Sequence, residues 1–486
     1  MKDLEDYFKQ IRDNITGNDV EYVTPYGVQH MIYLDWIASG RLYKPIEKIL
    51  SDEIGPFVAN THTQTSESGT RMTMAYHHAR DIIKKHVNAG RDDILITSGF
   101  GMTSVVNKLQ RILGLKKGGL LDSEISENDK PIVFLTHMEH HSNQTSWYES
   151  NADVVVLKPS ADLLIDLNEL RNELKKHKSR KHKIGAFTAC SNVTGIVTPY
   201  HEMARIMHEH GGICFVDFAA SAPYVDINMN PKDGLEKLDA IYFSPHKFLG
   251  GPGSSGVLVF DSKLYKNDVP DDSGGGTLDW SDPWGKYKYI DDIEGREDGG
   301  TPGFMQAIRT ALCIKLKERM GAERILAREK ELLNIAFKEL DKLDGVKILA
   351  NKHRDRLGVI SFYHTDIHYN LIVKLLSDRY GIQVRGGCAC AGTYGHYLLE
   401  VSYEQSLEIT DKIGTGDLSQ KPGWVRMSMH PTLTNEEIIY FAKALGEIIA
   451  NYKDWGGDYV YNKKVNEFQN GKELERVKME VLKWFE

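Results

Sequence analysis

The stretch Tyr242-Phe-Ser-Pro-His-Lys-Phe-Leu-Gly-Gly-Pro252 carries a lysine, Lys247, just beyond the short apolar run Ala240–Phe243. Upstream, Asp217 directly follows a second such run, Ile213-Cys-Phe-Val216. Read as strands, both runs deliver a chemically active side chain to the carboxyl end of a parallel sheet, where α/β folds bind their ligands. Outward from this pair, further strands are expected at Asp93–Thr97, Pro131–Leu135, Val154–Leu157, Ile184–Thr188 and Gly256–Phe260. Helix-length segments such as Thr103–Leu113, Leu167–Leu174 and Tyr200–His210 lie between them. Strand and helix alternating at this spacing predict a mostly parallel, seven-stranded sheet flanked by helices on both faces.

From about Pro302 the pattern changes. Long helical stretches, Met305–Met320 and Ala322–Leu343, lead to strands at Val346–Leu349 and Val359–Tyr363, a helix near Leu371–Arg379 and a strand at Ile382–Arg385. This predicts a smaller α+β domain over residues 305–486, after a large domain over 31–304 and an N-terminal segment, 1–30, that packs on the small domain. An added C-terminal helix repeats Leu474, Val477, Val481, Leu482 and Phe485 at helical spacing, a stripe expected to pack on its own domain. The Gly-, Asp- and Trp-rich segment Asn267–Gly300 is too long for a plain connection and reads as a functional loop.

With 60 Lys and Arg against 68 Asp and Glu, the formal charge of −8 argues against a general attraction to nucleic acid or anionic membranes. The basic run Lys175-Lys-His-Lys-Ser-Arg-Lys-His-Lys183 reads as a solvated connection. Five cysteines, three of them scattered singly, suggest reduced thiols and a cytoplasmic setting. The polar amino terminus is unlike a secretory leader, and no apolar run approaches the roughly 18 residues of a spanning helix.

A lysine amine paired with a buried carboxylate is what an enzyme needs to hold pyridoxal phosphate (PLP) as a Schiff base with its ring nitrogen protonated. A phosphate site is then required. Ile96-Thr-Ser-Gly-Phe-Gly-Met-Thr-Ser104 runs from a strand through spaced glycines into a helix, leaving backbone N–H groups free for an anion. Ser244 and His246 flank the lysine as further donors. The cluster Thr136-His-Met-Glu-His-His-Ser-Asn143 lacks partners at metal-ligand spacing, so a ring lying over the cofactor, from His140, is preferred to zinc.

Taken in order, Gly99-Phe-Gly-Met-Thr103, Glu139-His-His-Ser-Asn143, Ser191-Asn-Val-Thr-Gly195, Asp217-Phe-Ala219, Ser244-Pro-His-Lys247, Gly300-Thr-Pro302, Arg385-Gly-Gly-Cys-Ala-Cys390 and Arg426-Met-Ser428 resemble the class V aminotransferase superfamily of fold-type I PLP enzymes. Within it the likeness is to cysteine desulfurases and selenocysteine lyases, over about Tyr33 to Ala450.

The resemblance implies that Lys247 carries the cofactor, Asp217 pairs with its ring nitrogen, His140 stacks on the ring and Asn192 bonds the ring hydroxyl. Gly101, Met102, Thr103, Ser244 and His246 would hold the phosphate, joined by Thr301 from a second subunit, so a homodimer sharing its active sites is expected. Ala38 and Arg426 would bind the amino-acid substrate, the planar guanidinium gripping its carboxylate. Cys390 falls at the family's nucleophile and would take sulfur as a persulfide for a possible acceptor protein.

Other readings of the cysteines remain: Cys390 as a small buried apolar residue, or Cys388 and Cys390 as a Cys-x-Cys metal or redox pair. The chain also departs from the desulfurase pattern. Ala220 stands where a glutamine is usual, and an extended segment separates Cys390 from Arg426. The expected activity is cleavage of a carbon–sulfur or carbon–selenium bond. The alternatives are an aminotransferase, an epimerase or other lyase with no role for Cys390, or a non-catalytic scaffold of the same fold.

Overall fold

Seven short runs rich in Val, Ile, Leu and Phe form one sheet: β1 (Asp93–Ser98), β2 (Ile132–Leu135), β3 (Asp153–Val156), β4 (Lys183–Thr188), β5 (Ile213–Asp217), β6 (Ala240–Phe243) and β7 (Gly256–Asp261). Their spatial order is β1-β7-β6-β5-β4-β2-β3. The strands from β6 to β3 run parallel, whereas β7 is antiparallel to both its neighbours. β2, β4, β6 and β7 are buried along their whole length, which explains why their sequences are continuous apolar runs and not alternating ones.

The computed structural model describes residues 3–61, 63–116, 126 and 128–486. They form two units, one of Ser39–Ser191 with Val197–Glu323, the other of the residues up to Ala38 with Asn192–Ile196 and Arg324–Glu486. The seven-stranded sheet lies in the former. Its helix Met102–Ile112 buries Met102, Val105, Val106, Leu109 and Ile112 in one cluster with Val133, Leu135 and Leu258 of the sheet. Each such side chain contributes about 1.5–3 kcal/mol by leaving water.

A helix absent from the sequence reading, Glu67–His86, packs beside Phe304–Met320. Its buried face includes Thr73 and Arg80, so the apolar stripe that announces most helices is interrupted. Arg80 pairs with Glu294 at 2.7 Å and Asp298 at 2.9 Å, and buried Lys108 with Asp271, Asp272 and Glu297 at 2.9–3.2 Å. These pairs tie the Asn267–Gly300 segment to the unit. Within it Leu278–Ser281 and Tyr287–Tyr289 form a hairpin. The basic run is only partly solvated, because Arg180 turns inward and donates to the carbonyls of Lys130 and Pro131 at 2.7 and 3.1 Å.

The other unit is built on an antiparallel sheet of β8 (Val346–Ile348), β9 (Val359–His364), β10 (Arg385–Gly387) and β11 (Trp424–Ser428), in the order β8-β9-β11-β10. Helices Ala322–Leu340, Tyr369–Tyr380 and Asn435–Trp455 contribute Leu332, Phe337, Ile372, Leu376, Phe441 and Leu445 to its core. The expected strand Ile382–Arg385 divides in two. Ile382–Gln383 pairs parallel with Ile32–Tyr33, while Arg385 begins β10.

The C-terminal helix, Gly471–Leu482, is present, but its apolar stripe is not packed away. Leu474 is 63% exposed and Leu482 50%. The core is already closed by Phe441, Leu445, Ile448 and Tyr459, and the helix is attached through a polar link from Glu473 to Lys374.

Glu329 gives this unit a pH dependence. Its carboxyl is fully buried; among the described residues Oε1 has no hydrogen-bond partner, and Oε2 accepts from Gly358 N at 3.2 Å. Burial pushes it from its usual 4.5 up to about 8. Between those values the folded state keeps a proton that the unfolded chain has lost, so this contribution falls as pH rises. Glu329→Gln is therefore expected to raise the melting temperature by a few degrees at pH 8 and hardly at all at pH 4. Parallel melting curves of the two proteins across that range check it.

Candidate active site

In the unit with the seven-stranded sheet, β5 ends at Asp217, which sits in register between Thr188 of β4 and Tyr242 of β6. Asp217 is 3% exposed, and its Oδ1 accepts from Ala219 N at 2.8 Å. Burial lifts this carboxyl to about 6, with Ala219 N–H and the Lys247 charge pulling the other way. Lys247 closes the turn Pro245–Lys247 that leaves β6, with its N–H on Ser244 O at 3.1 Å. The turn is tightly folded: a side chain at Gly251 would stand 1.9 Å from Pro245 O, so only glycine fits there. Strand order thus brings Asp217 and Lys247 within electrostatic reach of each other.

Two helix N-termini meet beside them. Met102–Ile112 begins after Gly101, and His141–Tyr148 begins after His140. Met102 N donates to Ser244 Oγ at 2.8 Å, joining the glycine loop to the lysine turn. A Cβ on Gly101 would lie 3.0 Å from Ser244 Oγ and 3.5 Å from the His246 ring, so the glycine keeps a small cradle open. Burial and the Lys247 charge push His246 down to about 4, making its imidazole neutral. Thr103 Oγ1 lies 2.7 Å from Ser142 Oγ, and His140 Nδ1 accepts from Ser142 N at 3.1 Å. That acceptor role leaves the His140 ring proton on Nε2.

Sequence reasoning missed Glu139 and Ser142. Glu139 is wholly buried and accepts from Thr136 Oγ1 at 2.6 Å, Thr188 N at 2.9 Å and Asn143 Nδ2 at 2.8 Å. It stitches the ends of β2 and β4 to the helix that His140 starts. Burial raises its carboxyl to about 7 despite those donors. The signal was its spacing from Asn143, four residues on, the reach of one helical turn. Thr301 is exposed, just past Gly300. Ala220 is buried in the turn after Asp217.

The other unit gathers a second set. Arg426, on β11 opposite Arg385 of β10, is 3% exposed. Its Nη2 meets Asp35 Oδ1 at 2.8 Å, its Nη1 donates to Asn192 O at 3.2 Å, and its Nε has no hydrogen-bond partner among the described residues. Arg385 Nε approaches the other Asp35 oxygen at 3.3 Å. Asp35, 391 residues from Arg426, was not identified from sequence because nothing local links the two. Ala38 N closes a turn onto Asp35 O at 3.0 Å.

Asn192 donates its amide to Ala389 O at 2.7 Å, and its Oδ1 is buried without a hydrogen-bond partner among the described residues. The segment after β10 is sharply bent, with φ of 51° at Ala389 and 55° at Cys390. Cys390 is exposed there, in electrostatic reach of the Arg426 guanidinium. The reading of Cys390 as a buried apolar residue is thereby excluded.

Comparison with known proteins agrees with this geometry. The family described as Aminotransferase class-V matches residues 32–441. A protein of Staphylococcus epidermidis named as a probable cysteine desulfurase is 31% identical over 369 residues, which span 75% of this chain and 84% of that one. The fold is that of the cysteine desulfurase from Thermococcus onnurineus NA1, with a TM-score of 0.71, 22% identity and coverage of 91% of this chain and 98% of that one. A cysteine desulfurase from Escherichia coli aligns with a TM-score of 0.69 at 20% identity over the same shares. The strand order, the lysine turn and the match over most of the sequence have one reading: the chain belongs to the class V aminotransferase family.

Proposed function

We propose that this enzyme is a PLP-dependent cysteine desulfurase, acting on L-cysteine or its selenium analogue and working as a homodimer. The observation that carries the reading is an exposed thiol, Cys390, on the same bent segment whose carbonyl Asn192 holds, with the buried guanidinium of Arg426 in electrostatic reach. A carboxylate grip beside a nucleophile is what sulfur abstraction from an amino acid requires. The names of the relatives support the same reading.

The residues fit the cofactor. The cradle kept open by Gly101, with the N–H of Met102, Thr103, Ser244 and His246 around it, suits a phosphate at a helix N-terminus. Asp217, a carboxyl made reluctant to ionise by burial, is suited to a ring-nitrogen proton, and His140 to the ring face. The orphaned Oδ1 of Asn192 offers an acceptor to a hydroxyl. PLP, when bound, supplies an electron sink for the substrate carbon that loses its proton.

The chain's own groups do the rest. Lys247 holds the cofactor and moves the α-proton. Arg426, its Nε unspent and Asp35 displaced or shared, holds the substrate carboxylate beside Ala38. Cys390 forms an S–S bond as the substrate C–S bond breaks, leaving alanine as product and a persulfide on the protein. Thr301 would complete the phosphate site of a second subunit.

Incubating the PLP-loaded protein with L-cysteine tests this directly. Alanine and protein-bound sulfane sulfur should appear together. Turnover that requires a 2-oxo acid and leaves no sulfur on the protein would establish an aminotransferase instead.

A further inference from the structure

Cys388 and Cys390 both face a cleft of about 740 Å³ within the unit of the smaller sheet. One wall is the segment from Arg385 to Cys390, the other the strand Glu467–Gln469 and the helix Gly471–Leu482. The two thiols have different surroundings. Cys390 is exposed and lies in electrostatic reach of Arg426, while Cys388 is half-buried and lies in electrostatic reach of Tyr369. The Tyr369 hydroxyl is held at the cleft by Asn466 Nδ2 at 2.5 Å and by the Lys421 carbonyl at 3.1 Å. With Ala389 and Cys390 both left-handed, the chain curls between the thiols.

We propose that Cys388 is a second sulfur-carrying thiol, which takes the sulfane sulfur from Cys390 and presents it within this cleft. The inference rests on the desulfurase reading above. The Cys388 thiolate attacks the outer sulfur of the Cys390 persulfide. A new S–S bond forms on Cys388 as the old one breaks, and the electron pair stays on the Cys390 sulfur, which takes up the proton Cys388 gave. No net oxidation occurs and no co-reactant is consumed. Cys390 is returned to its thiol and is ready for another substrate while the first sulfur is still on the protein. A cleft of this size, lined by Arg385 and Lys421 as well as Tyr369 and Asn466, has room for a small thiol acceptor to meet Cys388.

The test is a burst experiment on PLP-loaded enzyme with excess L-cysteine and no added thiol, followed by alkylation and mapping of the added sulfur by fragmentation mass spectrometry. Wild type should release about two alanines per chain in the burst and carry one extra sulfur on each of Cys388 and Cys390, whereas Cys388→Ser should release about one and carry sulfur on Cys390 alone. A wild-type burst of about one, both sulfurs on Cys390, or a Cys388–Cys390 disulfide with released sulfide would each overturn the relay. Those results leave the desulfurase reading standing, because alanine is still formed; absence of alanine overturns both. The wild-type map decides the matter even if the serine variant fails to fold.

Discussion

Lys247→Ala is expected to lower alanine formation from L-cysteine by at least about a thousandfold, because the same amine is proposed to hold the cofactor and move the α-proton. The loss should be chemical. Lys247 ends a turn whose backbone bonds, Lys247 N to Ser244 O and Gly40 N to His246 O, do not involve its side chain, so the variant should fold and melt much like wild type. Borohydride treatment of the loaded wild type should leave a pyridoxyl mass on the peptide containing residue 247, and the variant should acquire none. A tag found on another lysine, or an imine absorption band that survives the substitution, would move the catalytic amine elsewhere and undo the assignment of Asp217 with it.

Cys390→Ser is expected to abolish sulfur transfer to a similar degree while the cofactor band persists. A serine hydroxyl has no sulfur with which to form the S–S bond and is not ionised near neutral pH, whereas the thiolate is the reactive species. Apart from Asn192, the residues proposed to hold the cofactor belong to the other unit, so the cofactor should still load. Following alanine and sulfane sulfur together separates the outcomes. If turnover survives and responds to a 2-oxo acid, Cys390 is a bystander and the aminotransferase reading prevails.

Most of the framework was legible because buried parallel strands write themselves as unbroken apolar runs. All seven strands of the large sheet were recognised to within a residue or two. Lys247 and Asp217 could be found because each follows such a run directly, so topology alone delivers them to one edge. What escaped had no local signature. Glu67–His86 hides its periodicity behind buried Thr73, which bonds the carbonyls of Thr61 and Thr63 just before the helix, and buried Arg80, whose acidic partners lie more than two hundred residues on. Asp35 acquires its significance only when β11 brings Arg426 to it. Glu139 was visible as a letter in a motif, but its work is to join two strands and a helix. The divided strand at Ile382–Arg385 failed for a related reason: four residues of suitable composition say nothing about which neighbour each half will pair with.

Ala389 stands at a φ that costs any residue with a Cβ about 1–2 kcal/mol, in a segment that already contains Gly386 and Gly387. A glycine there would be more comfortable and would also wander. By tolerating the alanine, the chain narrows the backbone choices open to the stretch that carries two thiols. The consequence is aim: the sulfur proposed to react, on a surface loop, is kept from sampling the wrong targets by a methyl group that does no chemistry of its own.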